Sequence, residues 1–284
     1  MSEIRRVQSV IEPQGTLEGA GVRLHRSIGT REVNYLDPFL LLDDFSSHDR
    51  RDYEAGFPQH PHRGIETVTY MLRGAVNHKD TLGNSGSIGA GDIQWMTSGR
   101  GILHEEMPQV RPEGIAGFQI WVNLPAKAKM TAPRYQDVRS EKIPEIKGKD
   151  GARIRVVAGT VGDVRGAVTD IAADPIYLDV LVPPNSAYRE RVARGHTAFA
   201  YVFEGQAIFP GPGREEVTVP HPRLVVLGDG DEIHVKTGAE PARFLLVSGK
   251  PLGEPIARYG PFVMNTKAEI EQALDDLRRG TFVR

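Results

Sequence analysis

The chain has 284 residues, which fits two domains of ordinary size, and it has no cysteine, which excludes disulfides, thiolate metal sites and a cysteine nucleophile. Its 35 basic and 37 acidic side chains form no basic stripe, so no direct nucleic-acid partner is expected. No apolar run approaches the roughly 18 residues of a membrane span, and the polar beginning is unlike a signal peptide, so we expect no membrane association and a cytoplasmic location.

Short apolar runs separated by glycine and proline predict β-strands along most of the chain. A helical pattern is convincing only near the end, where Thr266 and Glu269 form a candidate capping box and apolar residues follow at spacings of three and four through Leu277. The sequence therefore predicts an all-β protein with a short C-terminal helix. The predicted strands include residues 22–28, 67–72, 91–96, 117–124, 153–159, 176–182, 199–203, 224–227 and 242–249.

Two segments of the chain resemble each other. Residues 67–74 and 198–205 both place a tyrosine four residues before a glycine, and the pairs Gly91–Asp92 and Gly228–Asp229 come later in each. This repetition predicts two copies of one β-barrel unit, although repeats this short also arise by chance. The charged segment 139–151, which contains proline and glycine, is interpreted as the connection between the copies.

The main chemical signal is two pairs of potential metal ligands, His60 with His62 and His104 with Glu106. Residues two apart on a strand share a face and lie roughly 6.6 Å apart along it. Two neighbouring strands that direct such pairs inward can surround one ion, and three imidazoles with one carboxylate suit iron, nickel, copper or zinc. The alternative interpretation is that these histidines are structural or face solvent.

Glu66 competes with Glu106 for the role of fourth ligand. It shares the parity of His62, but a straight strand would place it roughly 13 Å further on, unless Gly64 bends the chain. Glu105 has the wrong parity. We therefore predict Glu106 as the ligand and Glu66 as a residue that orients an imidazole from behind.

The other six histidines are isolated in the sequence. The second copy has no H-x-H or H-x-E pair, and His234 alone cannot complete a site. We therefore expect the second barrel to hold no metal.

Several segments resemble the pirin family closely. They are D-P-F-L-L-L-D-D-F (37–45), F-P-Q-H-P-H-R-G-I-E-T-V (57–68) and G-D-I-Q-W-M-T-S-G-R-G-I-L-H-E-E-M-P (91–108), supported by residues 118–124 and 260–266. The resemblance covers nearly the whole chain and is most specific in residues 37–124.

This resemblance implies two antiparallel jelly-roll cupin barrels packed face to face. It implies a metal-binding barrel in residues 1–138, a linker in 139–151, a barrel without metal in 152–259, and a C-terminal segment, 260–284, that returns to the first barrel. It also implies that His60, His62, His104 and Glu106 hold one divalent ion. That ion is expected to be Fe(II), with nickel, copper, manganese or zinc as alternatives.

Some pirin-like proteins are similar to quercetinases, which implies cleavage of flavonols with dioxygen and a role for Glu106 as catalytic base. Arg63 and Gln119 are candidate polar contacts for such a substrate. The alternative function is a redox-sensing regulator that binds a transcription factor or a metabolic enzyme. A third is a metal scaffold whose substrate is not a flavonoid. The candidate apolar contacts, most of which could instead be barrel core, are Phe57, Trp95, Met96, Phe118 and Trp121.

Overall fold

The computed structural model describes residues 2–148 and 150–283, and most of its regular structure is β-strand. The strands up to residue 138 are β1 (Val7–Ile11), β2 (Gln14–Glu18), β3 (Val22–Ile28), β4 (Phe39–Asp44), β5 (Phe57–His62), β6 (Ile65–Arg73), β7 (Ala75–Asp80), β8 (Ser85–Gly89), β9 (Ile93–Thr97), β10 (Ile102–Pro108), β11 (Ala116–Asn123) and β12 (Arg134–Val138). The later strands are β13 (Glu145–Lys147), β14 (Arg153–Ala158), β15 (Thr160–Val161), β16 (Val164–Arg165), β17 (Ile176–Val182), β18 (Ala187–Arg191), β19 (Thr197–Pro210), β20 (Glu216–Pro220), β21 (Arg223–Leu227), β22 (Glu232–Lys236), β23 (Ala242–Gly249), β24 (Ala257–Tyr259) and β25 (Phe262–Met264). The helix α1 spans Lys267–Arg278, and 3₁₀ turns cover Arg50–Asp52, Ala126–Ala128 and Ser140–Lys142.

Contacts divide the chain into two units. The first unit contains Gln14–Ser140 and Leu252–Arg284, and the second contains Met1–Pro13 and Glu141–Pro251. The opening residues belong to the second unit because β1 pairs with β21 there, whereas the sequence alone placed them in the first barrel. Part of the predicted linker is also a strand of the second unit, since β13 pairs with β14.

The first unit is built from two antiparallel sheets that enclose an apolar core. One sheet has the order β12-β9-β6-β11-β4-β3-β2, and the other has the order β5-β10-β7-β8. Both sheets contribute side chains to the core between them, which makes this unit a sandwich of two packed sheets. Buried residues of this core include Leu24, Phe45, Tyr53, Met71, Val76, Ile88 and Ile115.

The second unit contains a ten-stranded sheet whose main path is β1-β21-β19-β23-β17-β14-β13, with β18, β20 and β22 attached beside it. Its core is rich in β-branched and aromatic side chains, as expected for strands buried on one face. Representative core residues are Val156, Val180, Phe209, Ile233, Val235 and Phe244.

Each unit has a central strand with equivalent neighbours on both sides. In the first unit β6 lies between β9 and β11, and in the second β19 lies between β21 and β23. The tyrosines Tyr70 and Tyr201 are both fully buried, and the glycines four residues later both have positive φ. The predicted equivalence of the two Gly-Asp pairs is wrong, because Gly91–Asp92 precedes β9 whereas Gly228–Asp229 follows β21.

The C-terminal segment forms a small layer of its own in the first unit. The hairpin β24-β25 leads into α1, and the predicted capping box is present, with Thr266 and Glu269 bonding each other's backbone N–H. The apolar face of α1 packs on β25 and on the end of the chain through Ile270, Ala273 and Phe282. The helix prediction is therefore confirmed. In the described part of the chain, no helix is long and apolar enough to cross a membrane.

Gly64 sits where the chain leaves β5 in one sheet and enters β6 in the other. Its φ is +82°, and a Cβ atom here would lie 2.0 Å from the carbonyl oxygen of Val263. That oxygen is held in place because it also accepts a hydrogen bond from the ammonium group of Lys129. The position therefore requires glycine for both conformation and space.

The substitution Gly64→Ala should lower the free energy of unfolding by about 2–4 kcal/mol, because it combines backbone strain with a contact that cannot relax. Both tryptophans of the chain, Trp95 and Trp121, lie in the first unit, so urea denaturation followed by tryptophan fluorescence reports on that unit. Gly83→Ala is the matched control, because Gly83 also has positive φ but a Cβ there meets no atom within 4 Å. The control should lose about 1–2 kcal/mol, and equal losses for the two variants would contradict the steric argument.

Candidate metal centre

Three imidazoles meet between β5 and β10. His60 pairs directly with His104 in the antiparallel register, and His62 follows on the same face of β5. One ring nitrogen from each of the three lies within 4.8 Å of one from each of the others. The ring centroids are 4.5 Å apart for His60 and His104, and 5.1 Å apart for His62 and His104. The alternation predicted from the sequence thus brings the three histidines together.

The chemistry of these side chains fits a metal ion. His62 and His104 are each 1% exposed, and neither ring nitrogen of either side chain has a hydrogen-bond partner of good geometry. Burial lowers the pKa of His104 to about 4 and lowers that of His62 as well, although the nearby Pro261 carbonyl acts in the opposite direction. Both imidazoles are therefore neutral at pH 7, which is the form that binds metals. Buried polar atoms without partners are costly, and an ion would satisfy them.

His60 shows which of its nitrogens is available. Its Nδ1 lies 2.9 Å from the carbonyl oxygen of Pro58. A carbonyl can only accept a hydrogen bond, so Nδ1 is the donor in this contact and Nε2 is the nitrogen left to bind a ligand. Such a backbone contact on the far nitrogen is the usual way in which a metal-ligating imidazole is oriented.

Glu106 is close to this group but is not one of its three members. It is buried on β10, and its carboxylate accepts hydrogen bonds from Thr69 Oγ1 at 3.1 Å and from Gln119 Nε2 at 3.3 Å. Both donors stand on the opposite sheet, on β6 and β11. The indole N–H of Trp121 donates to Gln119 Oε1 at 3.1 Å, which turns the amide nitrogen towards Glu106. Direct metal ligation by Glu106 therefore stays a prediction.

Glu66 faces away from this network. It pairs with Thr97 on β9 and accepts a hydrogen bond from Thr97 Oγ1 at 2.7 Å. Thr69, three residues along the same strand, points to the opposite face, where it meets Glu106. The parity argument from His62 fails because the chain turns at Gly64, between β5 in one sheet and β6 in the other. The prediction that Glu66 orients an imidazole is therefore wrong.

A cavity of about 530 Å³ opens beside the three histidines, within the first unit. One wall carries His60, His62 and Glu106, and the opposite wall carries Gln119 and Trp121. Most of the remaining lining is apolar, as in typical small-molecule sites. That apolar part includes Val22, Leu24, Leu41, Phe45, Phe57, Val76 and Ile115.

The predicted substrate contacts divide into two groups. Phe57, Gln119 and Trp121 line the cavity. Trp95, Met96 and Phe118 do not line it and are at most 1% exposed, so for these three the alternative interpretation as buried core residues is correct. Arg63 is also outside the cavity lining, because its guanidinium group is buried against the C-terminal segment, and its predicted role as a substrate contact is wrong.

Sequence reasoning missed the residues of the cavity that lie far from the histidines along the chain. Arg26 on β3 forms a bidentate pair with the buried Asp43 on β4, with both contacts at 2.7 Å. Burial raises the pKa of Asp43 to about 6, against the opposing effect of Arg26. Arg258 on β24 lies over the ring of Trp121, with 5.1 Å from its guanidinium carbon to the ring centroid. The only signal for these residues was the D-D pair within the family-like segment 37–45.

Comparison with known proteins agrees with this architecture. Residues 21–122 match the sequence profile of the pirin family, and residues 177–283 match that of the pirin C-terminal cupin domain. A pirin-like protein of Caulobacter vibrioides is 43% identical over 285 residues, covering 98% of this chain and 99% of that protein. A Pseudomonas aeruginosa protein that carries the provisional name quercetin 2,3-dioxygenase is 43% identical, covering 99% of both chains.

A solved structure also resembles this chain in its fold. The crystal structure of a quercetin 2,3-dioxygenase from Acinetobacter baumannii superposes with a TM-score of 0.86 at 35% identity, covering 99% of each chain. The fold and the matched profiles define a mostly β protein with two cupin domains. The chain belongs to the pirin family.

Metal content should depend on the three imidazoles. We expect one tightly held ion per chain by elemental analysis after iron supplementation, and none in His104→Ala, because that change removes a ligand that no other described residue can replace. His25→Ala is the matched control, since His25 is exposed on β3 and should leave the content at one. Two tight ions per chain, or a fully loaded His104→Ala variant, would contradict this assignment.

The two buried glutamates should behave differently. Glu66→Gln should leave metal affinity within about threefold of the parent, because Glu66 faces away from the histidines. Glu106→Gln should weaken affinity by roughly 10–100-fold or more, because it removes a carboxylate next to the site. Competition with a chelator measures both. If Glu66→Gln empties the site while Glu106→Gln remains loaded, the roles of the two carboxylates have been exchanged.

Proposed function

We propose that the protein is a metal-dependent dioxygenase that cleaves flavonol-like phenolics with dioxygen, using one divalent ion, with Fe(II) expected, at His60, His62 and His104. The observation that carries the proposal is the group of three imidazoles, two of which, His60 and His62, stand with Glu106 in the wall of one largely apolar cavity. The names of the Pseudomonas and Acinetobacter relatives support the same substrate class.

The cavity suits a planar aromatic molecule with hydroxyl groups. Phe57 and Leu41 supply apolar surface, and Trp121 supplies both a ring and a fixed polar neighbour in Gln119. Burying a ring system in this slot favours binding through the hydrophobic effect, while the few polar side chains fix its orientation. An ion bound to the imidazoles supplies a Lewis acid for a substrate hydroxyl oxygen and redox chemistry with dioxygen.

Glu106 is the candidate base for this reaction. Its carboxylate is held by Thr69 and Gln119 at the cavity wall, where it can accept the proton of the flavonol 3-hydroxyl. Gln119 has its amide orientation fixed by Trp121, so its N–H group can stabilise the charged carboxylate. The resulting enolate is the electron-rich form that reacts with dioxygen.

The overall reaction needs no reactant other than the flavonol and dioxygen. Two carbon–carbon bonds of the central ring break, carbon 3 leaves with its oxygen as carbon monoxide, and both atoms of dioxygen enter the ester product. Dioxygen is the oxidant. The apolar lining helps to exclude water, which would otherwise compete for the activated substrate.

The regulator interpretation needs the same histidines and therefore stays a prediction. In that case the protein would bind the ion and a protein partner without turning over a phenolic substrate. Oxygen uptake separates the two functions, because only the dioxygenase consumes dioxygen in the presence of a flavonol.

The metal-loaded protein should bleach quercetin aerobically, consume dioxygen and release carbon monoxide. His62→Ala should lose this activity, because it removes one of the three imidazoles, and His25→Ala should retain it. Flavones that lack the 3-hydroxyl should react at least about 100-fold more slowly, since they have no proton for Glu106 to remove. The assays are absorbance of the flavonol, an oxygen electrode and gas analysis.

Two results would change the proposal. Absence of oxygen uptake with iron, nickel, copper or manganese fully loaded would favour the regulator. Equal turnover of flavones would leave an enzyme but would remove the role of the 3-hydroxyl.

A further inference from the structure

Arg63 is a buried arginine that directly follows the histidine His62. Its side chain lies against the C-terminal segment of the first unit, where Nη1 donates to Asp276 Oδ2 at 2.7 Å and Nη2 donates to the carbonyl oxygen of Phe282 at 3.3 Å. The guanidinium carbon lies 4.4 Å from the centroid of the Phe282 ring. A buried charge with several hydrogen bonds to fixed partners is held in one position.

The same guanidinium group also contacts the turn that leads into the second histidine strand. Its Nε donates to the carbonyl oxygen of Arg100, and β10 with His104 begins two residues later. Arg63 therefore ties the end of β5 to the start of β10. The mutual positions of His62 and His104 depend on how these two strand ends meet.

The C-terminal segment fits closely against this junction. A Cβ atom on Gly101 would lie 2.6 Å from the carbonyl oxygen of Phe282, so little room separates the chain end from the turn. Val263 N donates to the carbonyl oxygen of Arg63 at 3.1 Å, which adds a backbone contact on the other side. The segment is in turn anchored by α1 and its capping box.

Asp276 is a poor residue for α1 considered alone. It lies in the last turn of the helix, where the helix dipole disfavours a carboxylate. Its Oδ1 accepts a hydrogen bond from Gln272 Nε2 on the same helix at 2.8 Å, and its Oδ2 is the oxygen that pairs with Arg63. Asp275, its neighbour on the same turn, instead pairs with Arg278 and Arg279 at the surface.

We infer that Arg63 and Asp276 are positioning residues of the metal centre, so that the C-terminal helix sets the geometry and the affinity of the three-histidine site. Neither residue is a ligand, and both act through the backbone at His62 and Arg100. The inference rests on metal binding by the histidines and does not require the proposed dioxygenase activity.

The test compares Asp276→Asn with Asp275→Asn in the full chain. Cobalt(II) is the probe, because its affinity can be measured by competition with a chelator and its visible spectrum reports ligand geometry. Asp276→Asn should bind cobalt(II) roughly 10–100-fold more weakly, as for other outer partners of metal sites, and its spectrum at saturation should change. Asp275→Asn should match the parent within about twofold.

A second variant separates positioning from general stability. Arg63→Lys keeps the positive charge but loses the planar guanidinium group, which donates to several partners at once. It should weaken cobalt(II) binding to a similar degree. The variant that combines Arg63→Lys with Asp276→Asn should bind cobalt(II) little more weakly than either single variant, because each of the three variants loses the same ion pair. If Asp276→Asn only lowers the melting temperature, and keeps the parent affinity and spectrum well below it, the inference is overturned. Loss of quercetin turnover with the affinity pattern intact would remove the proposed function and leave this inference standing.

Discussion

The cross-strand pairing of His60 with His104 is the contact on which the candidate site depends. It places one imidazole from each of two neighbouring strands on the same face, and the strand period then adds His62. Two of the three rings are buried without hydrogen-bond partners, which is an arrangement that a protein rarely keeps unless something else satisfies those nitrogens. The apolar surroundings that lower their pKa values also keep them in the metal-binding form.

The sheet opposite the histidines supplies the polar part of the site. Thr69 and Gln119 are direct neighbours across β6 and β11, and Asp43 faces Gln119 from β4. This row of polar side chains crosses three strands at the cavity wall, in an otherwise apolar sandwich. Because each member has a hydrogen-bond partner, the row can stay buried, and it gives Glu106 a defined position between the two sheets.

The histidine group was predictable from sequence because each pair lies within a single strand, where alternation holds. The prediction for Glu66 failed because Gly64 separates two strands of different sheets. Side-chain alternation holds only within one strand, so it does not predict which way a residue beyond such a junction points. Trp95 and Phe118 were near the ligands along the chain but lie on the wrong side of their strands. The C-terminal contacts of Arg63, and the position of Arg258 over Trp121, depend on long-range packing that no local pattern encodes.

The second unit shows why the histidine group belongs to the first. There β18 and β22 occupy the places of β5 and β10, since they pair with each other and precede the strands β19 and β23, as β5 and β10 precede β6 and β11. On β22, Ile233 and Val235 fill the core, so Glu232 and His234 must point outward, and they bond each other at 2.9 Å. Their partners across the ladder are Arg191 and Arg189. Where the first unit directs histidines inward from this pair of strands, the second unit directs Tyr188, Ile233 and Val235 into its apolar core, so the same two strands provide packing there instead of ligands.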